Sequence, residues 1–375
     1  MEKKRKTLVL FFHYLPSFHF KKDGFLTPYY LGKKMGYDVK IVYWKDHEYV
    51  PDSHRGVELI PTGGYRYQWL NILCYYFHLV INARNIDVLM RFHLTRETYL
   101  FTLIYKLLNP QGKVYVKTDI DPMDIDSNKK TGLKGRIILK LFRKCVDVVS
   151  CETTIAYEKM QKSSSPIYKY GEKLIIVPNG FDEEQIDFLN MHVKDFKNKD
   201  NIMLTVGRLG TYQKNTQMLL RAVAKVDLKD WKCFLIGTIE PDFSKEIERF
   251  YNNYPEKKSS VIFVGNINDT KELWDYYNRS KVFLLTSRFE SYGLVLCEAK
   301  RFKNYIITTD VGAARDIVEN GKYGMVINMD DDNSLSTEIE KAIGHNTTID
   351  VYNDFDEKSL YWSTMLNTLY KKLTS

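Results

Sequence analysis

The sequence predicts an α/β protein made of two doubly wound, Rossmann-like domains, each a parallel sheet covered by helices. Three observations carry this prediction. Short β-rich runs alternate with helical stretches, and the alternation restarts after the breaker Pro178-Asn179-Gly180. The chain of 375 residues exceeds one ordinary core and suits two domains of roughly 150–200 residues.

In the first half, residues 7–12 are β-rich, 24–35 have a helical pattern and 38–44 are again a strand. Strands at 88–91, 113–117, 146–151 and 174–177 follow, with helical segments between several of them. The polar stretch 194–200 reads as an interdomain connection. The pattern then resumes with a strand at 202–206, a helix at 216–226 and a strand at 232–236. Further strands are expected at 261–264, 282–285, 305–309 and 324–327. Leu360, Met365, Leu366, Leu369 and Leu373 fall near helical spacing, so the last stretch is expected as a C-terminal helix. The expected domains are 1–182 with the helix 357–375 packing back on it, and 183–356. Open parallel sheets bind ligands at the carboxyl ends of their strands; two facing sheets make the cleft between them the default site.

Composition narrows the class. Apolar content of 44% and charged content of 27% are globular. No apolar run reaches the roughly 20 residues that span a bilayer. The run 8–15 is broken by His13 and lacks a small-residue cleavage site, so no signal peptide is expected. Five cysteines without metal-ligand spacing suit reduced thiols in a cytoplasmic protein. Residues 1–180 carry 29 Lys+Arg against 17 Asp+Glu, a net of +12, whereas 181–375 carry 26 against 30, a net of −4. The basic half suggests an anionic partner, with nucleic acid and a membrane leaflet both open.

The segment richest in chemistry is residues 286–299. A strand opens into a loop with Glu290, and a helix is expected to start near Gly293 with Glu298 about two turns inside. A carboxylate accepts separate hydrogen bonds on each oxygen and so suits vicinal hydroxyls. The backbone N–H groups of Tyr292, Gly293 and Leu294 would be free donors at a helix start, suited to phosphate. On spacing alone, a surface glutamate and an unrelated helix glutamate are the commoner reading.

Residues 289–299 (Phe-Glu-Ser-Tyr-Gly-Leu-Val-Leu-Cys-Glu-Ala) resemble the E-x7-E segment of retaining GT-B-fold glycosyltransferases, especially glycosyltransferase family 4, also called glycosyl transferases group 1. The likeness covers residues 170–330 well and 1–170 by layout only. It implies that Glu290 contacts donor-sugar hydroxyls, that Glu298 holds the ribose diol, and that the backbone from Ser291 through Tyr292 and Gly293 to Leu294 meets sugar and diphosphate. Residues 205–216 resemble the family's G-R-L-x(n)-K-G/N segment, which implies that Arg208 and Lys214 neutralise the diphosphate. Residues 261–267 resemble the base-reading loop, with Asn266 and Ile267 as its contacts. Residues 176–182 match the hinge I-P-N-G-V/F-D. Residues 309–324 resemble an element that shapes the fold near the donor pocket.

The acceptor side matches less well. Only Gly24 stands where the family has a glycine-rich loop, and the histidine usual after a mid-domain strand is missing at 117–121. Asp119 and Asp121 are both candidates to approach the acceptor hydroxyl, beside the plain reading of a solvated acidic turn. The resemblance implies transfer of a sugar from a nucleoside diphosphate to a glycan or lipid-linked glycan with retention, in cell-surface polysaccharide or lipopolysaccharide synthesis, without metal or cofactor. A non-catalytic sugar-nucleotide-binding partner and a basic nucleic-acid-binding protein remain alternatives. Within 133–144, Lys134, Arg136, Lys140, Arg143 and Lys144 interleave with Leu133, Ile137, Ile138, Leu141 and Phe142. An amphipathic helix peripheral to the inner face of the cell membrane and a core helix with a basic outer face both fit this pattern.

Overall fold

The structure, a computed structural model, describes residues 5–45, 49–125, 132–344 and 349–375. It divides into two compact units, Met1–Asp182 with Tyr361–Ser375, and Glu183–Leu360.

Unit 1 runs β1 (Thr7–Phe12), α1 (Asp23–Met35), β2 (Asp38–Trp44), β3 (Ser53–His54), β4 (Val57–Thr62), α2 (Gln68–Asn82), β5 (Val88–Phe92) and α3 (Arg96–Leu108). It continues through β6 (Lys113–Lys117), α4 (Pro122–Ile125), α5 (Leu133–Cys145), β7 (Val148–Cys151), α6 (Thr154–Lys162) and β8 (Leu174–Ile176). The sheet order is β3-β4-β2-β1-β5-β6-β7-β8. Every pairing is parallel except the short β3–β4 hairpin. β5 and β7 are buried at every residue, as a parallel sheet covered on both faces requires. One face packs Tyr75 and Leu79 of α2, Phe101 and Tyr105 of α3, and Leu139 and Phe142 of α5. The other packs Phe25 and Leu31 of α1.

Unit 2 holds α7 (Glu183–Phe188), β9 (Asp200–Val206), α8 (Thr216–Lys225), β10 (Lys232–Ile236), α9 (Ser244–Asn253), β11 (Val261–Gly265) and α10 (Thr270–Arg279). After these come β12 (Ser280–Leu285), α11 (Leu294–Arg301), β13 (Tyr305–Thr309), α12 (Ala314–Val318), β14 (Gly324–Ile327) and α13 (Asp332–Gly344). Its six parallel strands are ordered β11-β10-β9-β12-β13-β14. The order reverses between β9 and β12, which makes that gap the topological switch point where open α/β sheets bind ligands.

Three sequence expectations are corrected. The stretch 45–87 carries β3, β4 and α2, where no strand was expected; Pro61 and short alternating runs blur the pattern there. The C-terminal stretch is not one helix. It forms a 3₁₀ turn (Glu357–Leu360), then α14 (Trp362–Met365) and α15 (Asn367–Thr374). The reason is local: Tyr361 bridges Phe181, Trp362 N–H donates to the Phe181 carbonyl at 3.2 Å, and Leu366 interrupts the helical backbone. Trp362, Leu366, Leu369 and Leu373 nonetheless fill the core of unit 1 on the α1 side. Finally, the apolar positions of α5, which the amphipathic reading puts on one side, do not share it. Phe142 is buried and Ile138 packs against the core, whereas Leu133, Ile137 and Leu141 face outward. No helix among the described residues is long and apolar enough to cross a membrane.

Candidate functional site

At the switch point of unit 2, the loop after β9 meets the loop after β12. Thr286 Oγ1 donates to the carbonyls of Lys214 and Asn215 at 3.0 and 3.2 Å, and Arg288 N–H donates to the Gln213 carbonyl at 2.8 Å. These bonds hold Lys214 against Glu290. The ammonium lies 2.5 Å from Glu290 Oε1, and Ser287 Oγ donates to the same oxygen at 2.7 Å. Gln213 donates to the Phe289 carbonyl at 3.1 Å and faces Arg208 at 3.5 Å, which draws the exposed Arg208 toward the group. Asn215 has φ of 48°, a left-handed conformation that asparagine tolerates better than most residues. That requirement explains a Gly or Asn directly after the lysine.

Gly293 caps α11 at φ of 90°, so the chain turns sharply into the helix after Glu290. The loop after β13 seals this turn: Ala313 N–H donates to the Tyr292 carbonyl at 2.8 Å. A Cβ on Gly312 would stand 2.5 Å from that carbonyl oxygen, so only glycine allows the approach.

Glu298 emerges from α11 toward α10, where Trp274 Nε1 and Tyr277 Oη donate to its two oxygens at 3.2 and 2.9 Å. Burial, then the adjacent Glu298 charge, raises the Tyr277 pKa well above its ordinary value, which keeps the phenol a donor. The carboxylate is therefore fixed in orientation. Asn266 and Ile267 follow the edge strand β11, two strands from the switch point, with Asn266 bonded to Asn268 at 2.8 Å. The structure thus gathers Arg208, Lys214 and Glu290 around Gln213, and places Asn266 and Ile267 on the loop after the edge strand β11. Of the backbone at 291–294, Tyr292 is buried and the rest is half-exposed.

Asp119 and Gly24 belong to unit 1. Asp121 is occupied in the turn, accepting from Met123 N–H at 2.8 Å, while Asp119 stays exposed at the end of β6. Gly24 lies buried in the first turn of α1, where a Cβ would stand 3.0 Å from the Phe12 ring. That explains the glycine by packing.

Sequence reasoning missed several residues at the switch point of unit 1, between β1 and β5. His13 directly follows β1, stacks on Trp44 at 4.4 Å and bonds Glu97 at 3.0 Å; Glu97 also pairs with Arg91 at 2.6 Å. His93 follows β5 with φ of 62°. The residue is exposed, and the partial desolvation of its ring lowers its pKa, with Asp119 and Asp23 opposing. Beneath it Lys117 is ion-paired with Glu152 and with Asp23 at 3.3 Å. Their shared signal was position: each directly follows, ends or supports a strand at its carboxyl end.

The architecture is that of the GT-B class. A glycosyltransferase from Rickettsia africae superposes with a TM-score of 0.71 at 16% identity over 100% of both chains. The lipopolysaccharide outer core galactosyltransferase WaaB gives 0.70 at 12% identity over 98% of this chain and 99% of that one. In sequence, residues 188–359, nearly all of unit 2, match the family model of glycosyl transferases group 1. In sequence, the amylovoran biosynthesis glycosyltransferase AmsD of Erwinia amylovora is 28% identical over 54% of this chain and 62% of its own length. The capsular polysaccharide biosynthesis glycosyltransferase CapM of Staphylococcus aureus is 26% identical over 51% and 53%. The chain spans about half the length of the relatives it matches.

Proposed function

We propose that the protein transfers a sugar from a nucleoside-diphosphate donor to a glycan acceptor, with retention, in the synthesis of a cell-surface polysaccharide or lipopolysaccharide. The observation that carries this is the Lys214–Glu290–Ser287 group at the switch point of unit 2, with Glu298 fixed on the next helix. Relatives named for amylovoran and capsular polysaccharide synthesis support the product class.

The roles follow from chemistry. Arg208 and Lys214 receive the charge that develops on the departing diphosphate, Arg as a fork and Lys as a point charge. Glu290, oriented by Lys214 and Ser287, has lone pairs left for donor-sugar hydroxyls, and the N–H groups at 291–294 extend this contact. Glu298 accepts the ribose diol, and Asn266 and Ile267 line the base. On the acceptor side, Asp119 and its neighbour His93 bind the attacking hydroxyl, with Gly24 in the first turn of α1 beside them. We assign Glu290, paired with Lys214, to positioning the donor sugar rather than to nucleophilic attack. Attack from the leaving-group face then gives retention, and the protein acts by positioning and electrostatics.

A thermal-shift screen across UDP-, GDP- and ADP-sugars tests the donor. One base class should stabilise the wild type and fail to stabilise Lys214→Ala. Indifference to every nucleotide would sink the reading. Proton NMR of the product tests retention through the anomeric coupling.

A further inference from the structure

The sheet of unit 1 has two coverings with different outer surfaces. On the side of α1, α14 and α15 the outward positions are polar, such as Lys33, Thr368, Lys371 and Lys372, and no large apolar side chain of these helices is exposed. On the other side α2, α3 and α5 lie next to one another with their inner faces in one core. Their outer faces expose large apolar side chains, alone on α2 and among cations on α5. Trp69, Leu73, Phe77 and Ile81 form a stripe along α2, exposed by 60%, 55%, 70% and 60%. Leu107 of α3 and Leu133, Ile137 and Leu141 of α5 are exposed as well. Soluble monomers rarely leave such contiguous surface in water. Beside the stripe, between α2 and the preceding loop, runs an apolar groove of about 460 Å³ lined by Tyr65, Leu70, Leu73, Phe77 and Ile81.

Charge selects the occupant. α2 contains no Asp, Glu, Lys or Arg, while α5 carries Lys134, Arg136, Lys140, Arg143 and Lys144 and no carboxylate. The one acid on the three helices, Glu97, is held by Arg91 and His13. Cations beside exposed leucine and isoleucine suit a flat anionic interface, where long side chains reach headgroups while apolar groups sit deeper. Tyr65, Tyr67 and Trp69, exposed together at the start of α2, have the amphipathic rings that settle at headgroup level.

We propose that the outer face of α2, α3 and α5 rests on an anionic lipid bilayer, with the α2 stripe entering the interface and the groove taking hydrocarbon. This goes beyond the transferase reading and does not depend on it, because vesicle binding is measured without any sugar donor.

The test is co-sedimentation of the full chain with vesicles of phosphatidylcholine alone, or mixed equally with phosphatidylglycerol. Binding is expected only to the mixed vesicles, weakening as salt rises. Lys140→Glu with Lys144→Glu should lower the partition coefficient at least fivefold or so per cation. Phe77→Ser should lower it on the order of tenfold. These positions are solvent-exposed, so the variants should melt like the wild type; Leu141→Ser serves as a second apolar variant. Equal binding to both vesicle types, or no effect of either kind of variant, overturns the proposal. So does a homo-oligomer that Phe77→Ser dissociates without lipid, which would assign the face to a second copy.

Discussion

Both units place a lysine–glutamate pair near the carboxyl ends of their strands, yet the pairs differ in kind. Lys214 and Glu290 of unit 2 keep 18% and 10% side-chain exposure and sit on loops, with Ser287 and Gln213 as adjustable neighbours. Lys117 and Glu152 of unit 1 keep 0% and 3% and sit at strand ends with Asp23 closing over them. Burial opposes the Lys117 charge, but Glu152 and Asp23 outweigh it and raise its pKa; burial raises that of Glu152, which Lys117 counters. Exposure separates a pair that can exchange partners with a ligand from one that underpins the loops above it.

Substitutions should divide along that line. Glu290→Gln keeps the shape but loses the charge that positions Lys214. The expected outcome is a fall in kcat/KM on the order of a hundred- to a thousand-fold, measured by initial rates, with an unchanged melting temperature. Equal loss of stability would make the two pairs alike. Lys117→Met should instead strand two buried carboxylates and cost about 3–5 kcal/mol in chemical denaturation, because an uncompensated buried charge is expensive. Lys117→Met with Glu152→Leu should recover much of that loss.

The smallest effect concerns pH. His19, His54, His78 and His93 all have pKa values lowered first by burial, and all lie in unit 1. A lowered folded-state value means that the unfolded chain takes up protons first, as pH falls through the ordinary value of 6.5. Stability contributed by these rings is full above that value and is lost below it. Hydrogen exchange of the full chain at pH 7.5 and 5.5 (values of about one unit either side of the histidine range) should show protection falling more in unit 1 than in unit 2. Equal losses would remove the distinction.

The strands of unit 2 were legible because each is a short apolar run bounded by turn residues, as at Lys232–Ile236 and Tyr305–Thr309. Glu290, Lys214 and Arg208 were legible because their loops are local and their spacing is characteristic. The partners of these residues were not. Nothing in sequence ties Ser287 to Glu290, or Trp274 and Tyr277 to Glu298, until α10 packs on α11. The unit 1 cluster joins Asp23, Lys117 and Glu152, which are far apart in the chain and meet only through parallel pairing of the sheet. The helical period of α5 was readable, but which side faced the core depended on α3 beside it.

The broken C-terminal segment bears on how the chain is made. Trp362, Leu366, Leu369 and Leu373 complete the core of unit 1, yet they leave the ribosome after all of unit 2. Domains ordinarily fold in the order of synthesis. Here the first unit to emerge is the last able to finish, and it waits with an apolar face uncovered while unit 2 closes within the chain. A nascent protein stalled or cut before Tyr361 would thus carry a completed second unit on an unfinished first one, a natural substrate for chaperones and proteases.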